Sequence, residues 1–358
     1  MNKNSSIAIV AGIAIAIAVI ASVLAFSGIS NDSTPMESPE QANLVPQAEK
    51  ITILTSFYPY HEFTKNVAGD FADVKQFMPN GVEAHDWEPR AQEIQSLKDA
   101  DVFVYNGLGM ESYIENIIES GEFDNVVFLK ASEGVELLKF EDDHDDHAKH
   151  DDHDDHDEHA KEDDHDDHDD HEEGGHDGHD HDYEFDPHIW LDPILVKQQV
   201  NVIRDGLIQV DPDNKENYEE NARIYNDKLD ALDMKIGSAL SSCQKDTIVP
   251  YHNAFTYLGE RYDIHIMALG GMAPDSEASA AEIAEFVDFV KDNDIKVIFS
   301  EELVDPRLAE VIAEEANAQV MLFSPLEALS KEEAVTNVSY IDKMEDNLDS
   351  LKVALECQ

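Results

Sequence analysis

Basic residues are scarce in this chain of 358: 24 Lys and Arg stand against 79 Asp and Glu, a net charge of −55. Binding a polyanion needs clustered Lys and Arg, so the balance argues against nucleic acid and in favour of cations. Cysteine is scarcer still, with only Cys243 and Cys357. In an exported chain an even count permits one disulfide, and a Cys243–Cys357 bond is expected to tie the start of the C-terminal half to its last helix. Two independent thiols are the alternative.

One long uncharged run occurs, from Ile7 to Phe26, preceded only by Lys3. At about 1.5 Å per residue it spans about 30 Å, the hydrocarbon thickness of a bilayer. A secretory core is shorter, about 7–15 residues. Residues 1–28 therefore read as a membrane anchor, with a cleaved signal peptide as the alternative. No cysteine follows the run, which argues against a bacterial lipoprotein anchor. Either way the remainder is expected outside the cytoplasm, held at the cell membrane by the N-terminal helix or secreted. Residues 29–50, rich in Ser, Pro, Asn and Gln, read as a flexible linker.

Apolar residues are nearly missing from residues 141–182. This stretch holds 23 acidic residues, two lysines and 12 histidines, a net charge of 2 − 23 = −21. The rest still carries −55 + 21 = −34, an acidity that a high-salt habitat would also produce. A segment of this composition cannot bury a core and is expected to be disordered without a ligand. Its carboxylates and imidazoles suit weak binding of divalent cations. A solvated charge run is the plainer reading.

Elsewhere short apolar strands alternate with helical patterns. Strands are expected at Ile51 to Leu54, Val74 to Met78, Asp101 to Tyr105 and Asn125 to Leu129. Helices fall at Tyr58 to Ala68, Glu88 to Ala100 and Met110 to Glu119. Helical periodicity returns at Ile194, after the acidic stretch. Asp213 to Leu240 is a long charged helix with an apolar face of Tyr218, Ile224, Tyr225, Leu229, Leu232 and Ile236. A second series follows, with strands at Thr247 to Pro250, Ile264 to Leu269, Val297 to Ser300 and Val320 to Phe323. Its helices are Ala254 to Arg261, Ala280 to Lys291, Arg307 to Ala316 and Val338 to Leu355. The fold class is α/β, with two lobes, each a mainly parallel sheet flanked by helices. The lobes are residues 51–211 and 242–358, joined by the helix of 212–241.

Five histidines lie outside the acidic segment: His61, His85, His188, His252 and His265. His61 is expected in a polar turn and His265 in a strand with a structural role. The other three fall where strands hand over to loops, the usual ligand position in open α/β sheets. They sit in Gly81-Val-Glu-Ala-His85-Asp-Trp-Glu-Pro89, Asp186-Pro-His188-Ile-Trp-Leu-Asp-Pro193 and Tyr251-His252-Asn-Ala-Phe-Thr-Tyr-Leu258. Trp87 and Trp190 read as packing residues that shield them. The three are scattered widely along the chain and match no compact finger motif.

These segments, with Val297-Ile-Phe-Ser-Glu301-Glu302, resemble the zinc- and manganese-binding solute-binding proteins of ABC importers, the ZnuA/TroA type. The resemblance covers roughly Ile51 to Leu355. The acidic His-rich insertion and the long helix fit the zinc-type members. The resemblance implies His85 and His188 as ligands from the N-lobe and His252 from the C-lobe. Many members end the last strand on an aspartate; here Ser324 stands there, and Pro325-Leu326-Glu327 points to Glu327 as the fourth ligand. Glu301 is the runner-up, or else a hydrogen-bond partner of a ligand. Three nitrogens and one carboxylate favour Zn2+ over Mn2+.

The implied function is capture of zinc in the interlobe cleft and delivery to an importer permease with its cytoplasmic ATPase, by a monomer and without catalysis. A surface metal store or adhesin is one alternative. A zinc hydrolase is another, although it would need an open coordination position.

Overall fold

The computed structural model describes residues 50–139, 184–271, 274 and 279–358. The expected membrane span, the linker up to residue 49 and the acidic segment of 141–182 lie outside these residues. Among the described residues, no helix is long and apolar enough to cross a membrane.

The N-terminal half is built on four parallel strands, β1 (Thr52–Thr55), β2 (Asp73–Gln76), β3 (Val102–Tyr105) and β4 (Val127–Lys130), in the order β2-β1-β3-β4. Ile53 pairs with both Val74 and Val102, so the most apolar strands lie at the centre. The C-terminal half has two parallel pairs, β5 (Thr247–Ile248) with β6 (His265–Ile266), and β7 (Val297–Ser300) with β8 (Gln319–Leu322). The Phe299 N–H donates to the Val249 carbonyl at 2.9 Å, which stitches the two pairs together. Strands β5 and β6 are shorter than their apolar runs. Pro250 has no N–H to give the ladder, although the Met267 and Leu269 N–H groups still donate to the Ile248 and Pro250 carbonyls at 3.1 and 3.3 Å.

Helices cover the sheets: α1 (Tyr58–Ala68), α2 (Ala91–Ser96), α3 (Ile114–Glu119), α4 (Pro193–Val210), α5 (Lys215–Leu240), α6 (Thr256–Tyr262), α7 (Ala280–Asp292), α8 (Arg307–Ala316) and α9 (Tyr340–Ala354). Helix α2 starts after Pro89 rather than at Glu88. The residue before a proline is pushed out of helical conformation, so the pattern cannot run through it. His61, expected in a turn, instead sits in α1, partly buried. Burial, aided by Lys65, lowers its pKa to about 4.

The 26 residues of α5 span about 39 Å at 1.5 Å per residue. Its buried face is Tyr218, Ala222, Tyr225, Leu229, Leu232 and Ile236, at spacings that alternate four and three. Ile224, expected on that face, is 42% exposed, because it lies one residue and about 100° round the helix from Tyr225. The helix packs on α1, α4 and α9, and so on both halves. The largest apolar cluster likewise draws on both, from Phe63 and Trp190 to Phe299 and Tyr340. The sulfurs of Cys243 and Cys357 are bonded, which links the end of α5 to the tail of α9 across 114 positions.

Candidate metal centre

Four of the five expected ligands follow a strand, whereas His188, also expected at a strand end, precedes a helical turn instead. His85 lies in the loop after β2, and His252 shortly beyond β5. Glu301 directly follows β7, and Glu327 lies on the arm that leaves β8. His188 begins a short 3-10 turn before α4. That helix is fixed by Asp192, whose carboxylate accepts from the Ile194 and Leu195 N–H groups at 2.7 and 3.3 Å, with Pro193 in its first turn.

The structure brings His85, His188, His252 and Glu327 together, with one potential ligand atom from each inside a 4.8 Å group. All four are buried, at 6%, 0%, 0% and 6% exposure. The imidazole centroids form a nearly equilateral triangle with sides of 5.5, 5.7 and 5.5 Å. Glu327 Oε1 caps it, 3.3 Å from His85 Nε2 and 3.4 Å from the Nε2 atoms of His188 and His252. Ligands about 2.0–2.1 Å from a tetrahedral zinc stand about 3.3–3.4 Å apart, so the three distances fit that ion. The Nε2 atoms of His188 and His252 are buried without an aligned hydrogen bond. Buried polar atoms without such a bond are costly in an apolar interior, and a cation placed among the neutral rings would satisfy both.

Two carboxylates aim the rings from behind. Asp186 Oδ1 lies 2.8 Å from His188 Nδ1 and also accepts the His188 backbone N–H. Glu301 Oε1 lies 2.6 Å from His252 Nδ1. Each turns Nε2 toward the centre, as carboxylate–histidine pairs do at metal sites. Glu301 thus sits behind His252 rather than among the converging atoms. Asp186 was not singled out from the sequence, although its position just before Pro187 and His188 is the available signal. Trp190 shields His188, with ring centroids 5.1 Å apart. Trp87 packs instead against Phe77 and Tyr113. His265 is in β6 and exposed.

The charges are strongly coupled. Burial lowers the His85 pKa, and Glu327 only partly opposes it. For His188 burial also works downward, but Asp186 and Glu327 outweigh it and the pKa rises. His252 is pushed well above the ordinary imidazole value, because Glu301 and Glu327 overcome its burial. Burial opposes ionisation of Glu327, yet the three histidines hold its pKa well below the usual carboxylate range. Glu83 is raised to about 8 by burial and then by the Glu327 charge. Its carboxylate accepts from the His85 and Asp86 N–H groups, both at 3.0 Å. A buried, preassembled cage of three imidazoles and one carboxylate is suited to holding a divalent cation.

A two-lobed α/β fold with this cage between its halves defines a metal-binding protein. The chain belongs to the family described as zinc-uptake complex component A, periplasmic, whose model matches residues 53–354. It is 36% identical over 310 residues to the high-affinity zinc uptake system protein ZnuA of Bacillus subtilis, covering 86% of this chain and 89% of that one. To the zinc-binding lipoprotein AdcA of Streptococcus pneumoniae it is 37% identical over 307 residues, covering 85% of this chain but 55% of AdcA. The chain therefore spans about half of that longer relative. Its fold matches the Zn(II)-bound ZnuA-like domain of S. pneumoniae AdcA with a TM-score of 0.68 and 34% identity, covering 86% of this chain and all of that domain.

Proposed function

We propose that this chain is the extracytoplasmic zinc-binding component of an ABC-type importer, with His85, His188, His252 and Glu327 as the ligands of its cargo. The observation that carries the reading is the cage itself: Glu327 Oε1 lies 3.3–3.4 Å from three buried imidazole nitrogens. Zinc bound there would have four protein ligands and no open position for a reactive water, which favours carriage over hydrolysis. The ion reaches the cage through a small cleft lined by Glu83, Glu301, Glu302, Leu303 and Pro325. The protein works as a monomer that hands zinc to a permease, and residues 1–28 hold it at the membrane.

Metal content and competition with a chelator test this directly. The purified chain is expected to carry one tightly held zinc. His85→Ala, His188→Ala and His252→Ala should each weaken it by more than a hundredfold, on the scale of losing a direct ligand rather than its support. Glu327→Ala should cost more than Glu301→Ala. If all three histidine variants keep stoichiometric tight zinc, the site lies elsewhere.

A further inference from the structure

Helix α9 buries an apolar stripe of Tyr340, Met344, Leu348 and Leu351. Two polar residues share its buried face, Lys343 and Asn347, each 3% exposed. Lys343 is explained by its ion pairs with Glu302 and Glu333. Asn347 has no charge to satisfy, and what it binds is main chain. Its Oδ1 accepts the Ser324 N–H at 2.8 Å, and its Nδ2 donates to the Ser324 carbonyl at 2.7 Å. One side chain thus reproduces the two-way pairing of a strand neighbour, at the point where β8 has ended and the chain turns away.

The arm that follows is held at each step. The Ser324 hydroxyl accepts the Leu326 N–H at 3.2 Å. The Pro325 carbonyl accepts from Trp190 Nε1 at 2.7 Å. Leu326 is fully buried with φ of 59°, a left-handed conformation that a leucine adopts only when its surroundings impose it. Glu327 comes next. An arm left to relax would take Leu326 to negative φ and swing the following carboxylate away from the three imidazoles.

We infer that Asn347 is the positioning residue of the Glu327 ligand: by clamping Ser324 it holds the strained arm that sets the carboxylate over the three histidines. The inference rests on Glu327 being a ligand of the bound ion. Outer partners that orient a metal ligand typically contribute about 10- to 100-fold in affinity. Asn347 belongs on that scale although it sits on a different element from Glu327, well removed in sequence.

The test is a mutant cycle on the full chain, read as zinc affinity by chelator competition and as the visible spectrum with Co2+ in place of zinc. Asn347→Ala should weaken zinc about tenfold or more and shift the Co2+ bands toward those of Glu327→Ala. In the Glu327→Ala background Asn347→Ala should add almost nothing, because the group it positions is gone. Asn347→Leu keeps the volume in the apolar stripe while removing both bonds to Ser324. It should move affinity and the Co2+ bands the same way, which keeps the test open if Asn347→Ala does not fold. A wild-type affinity and Co2+ spectrum in Asn347→Ala, or a loss just as large in the Glu327→Ala background, overturns the inference. Unchanged affinity in Glu327→Ala alone overturns the ligand assignment beneath it instead.

Discussion

The two halves of the molecule each bring two residues to the cage but hold them by different means. In the N-terminal half a four-stranded sheet carries a buried polar network. Glu111 accepts from the N–H groups of Asn106 and Gly107 at 2.8 and 2.9 Å. The Asn106 amide donates to the Pro187 carbonyl at 3.0 Å, and the Tyr60 hydroxyl donates to the Asn106 side-chain oxygen. The loop of His188 is thereby tied to the end of β3. In the C-terminal half the strands are two short pairs, and the ligands depend on side chains reaching in from neighbours. Glu301 aims His252, and α9 clamps the Glu327 arm. Local order in the first half comes from its own sheet; in the second it is imported from the last helix. The halves are then cross-tied beside the cage, by Tyr257 to the Asp186 carbonyl at 2.9 Å and by Arg261 to Asp192 at 2.7 Å.

The sharpest way to break this contrast is to remove the two orienting carboxylates. Asp186→Ala and Glu301→Ala should each lower zinc affinity about 10- to 100-fold. The loss from Glu301→Ala should be the larger. The ties that flank His252 are main-chain bonds of neighbouring loops, Gly270 N–H to the Tyr251 carbonyl at 2.9 Å and Asn253 N–H to the Gly271 carbonyl at 2.8 Å. The His188 loop, in contrast, keeps the buried side-chain tie of Asn106 to the Pro187 carbonyl when Asp186 is gone. Chelator competition on both variants decides it. A greater loss from Asp186→Ala would mean that the sheet-borne network contributes less to His188 than the carboxylate does.

Much of this was legible in the sequence, and the failures have physical causes. Alternating apolar runs located every strand found among the described residues, because burial periodicity survives even where the edges of elements do not. The cage residues were named through a family resemblance at their motifs, since histidines so far apart along the chain carry no spacing signal. Asp186, Asn106 and Asn347 were missed for a different reason. Each acts by a hydrogen bond whose partner is fixed only by the tertiary fold, and an Asn inside an apolar stripe reads as noise until the main chain it pairs with is seen. Ile224 failed as a face residue because it lies about 100° round the helix from Tyr225, on the side that α5 turns away from its neighbours.

A second, smaller effect is expected from pH. Zinc needs neutral imidazoles, whereas the metal-free cage favours protonated ones at His188 and His252, whose pKa values lie above the ordinary value of about 6.5. Raised values mean that protons compete with zinc at neutral pH, so affinity should keep climbing as pH rises past about 6.5 and should fall steeply below it. Calorimetry near neutral pH in buffers of different ionisation enthalpy should detect protons released on binding. His85, whose pKa is lowered, contributes little to that release. His252→Ala should therefore reduce the proton count more than His85→Ala. Equal reductions would contradict the electrostatic asymmetry of the cage.

The smallest effect on the cage should come from the largest deletion. Residues 141–182 carry a net charge of −21, yet none of the four converging residues lies within them. Their removal should leave the affinity of the tight site unchanged and abolish weaker, additional zinc binding. A dense negative charge acts at long range by concentrating cations, which changes the rate of encounter rather than the depth of the final well. The rate of zinc capture at low salt should therefore drop on deletion. The drop should vanish near 0.15 M salt, where charges are screened beyond about 8 Å. Stopped-flow capture with a fluorescent chelator, on the full and shortened chains at two ionic strengths, measures both quantities. Loss of the tight site on deletion, with the weak ones retained, would move the principal site into the acidic segment and leave the cage of His85, His188, His252 and Glu327 without its assigned cargo.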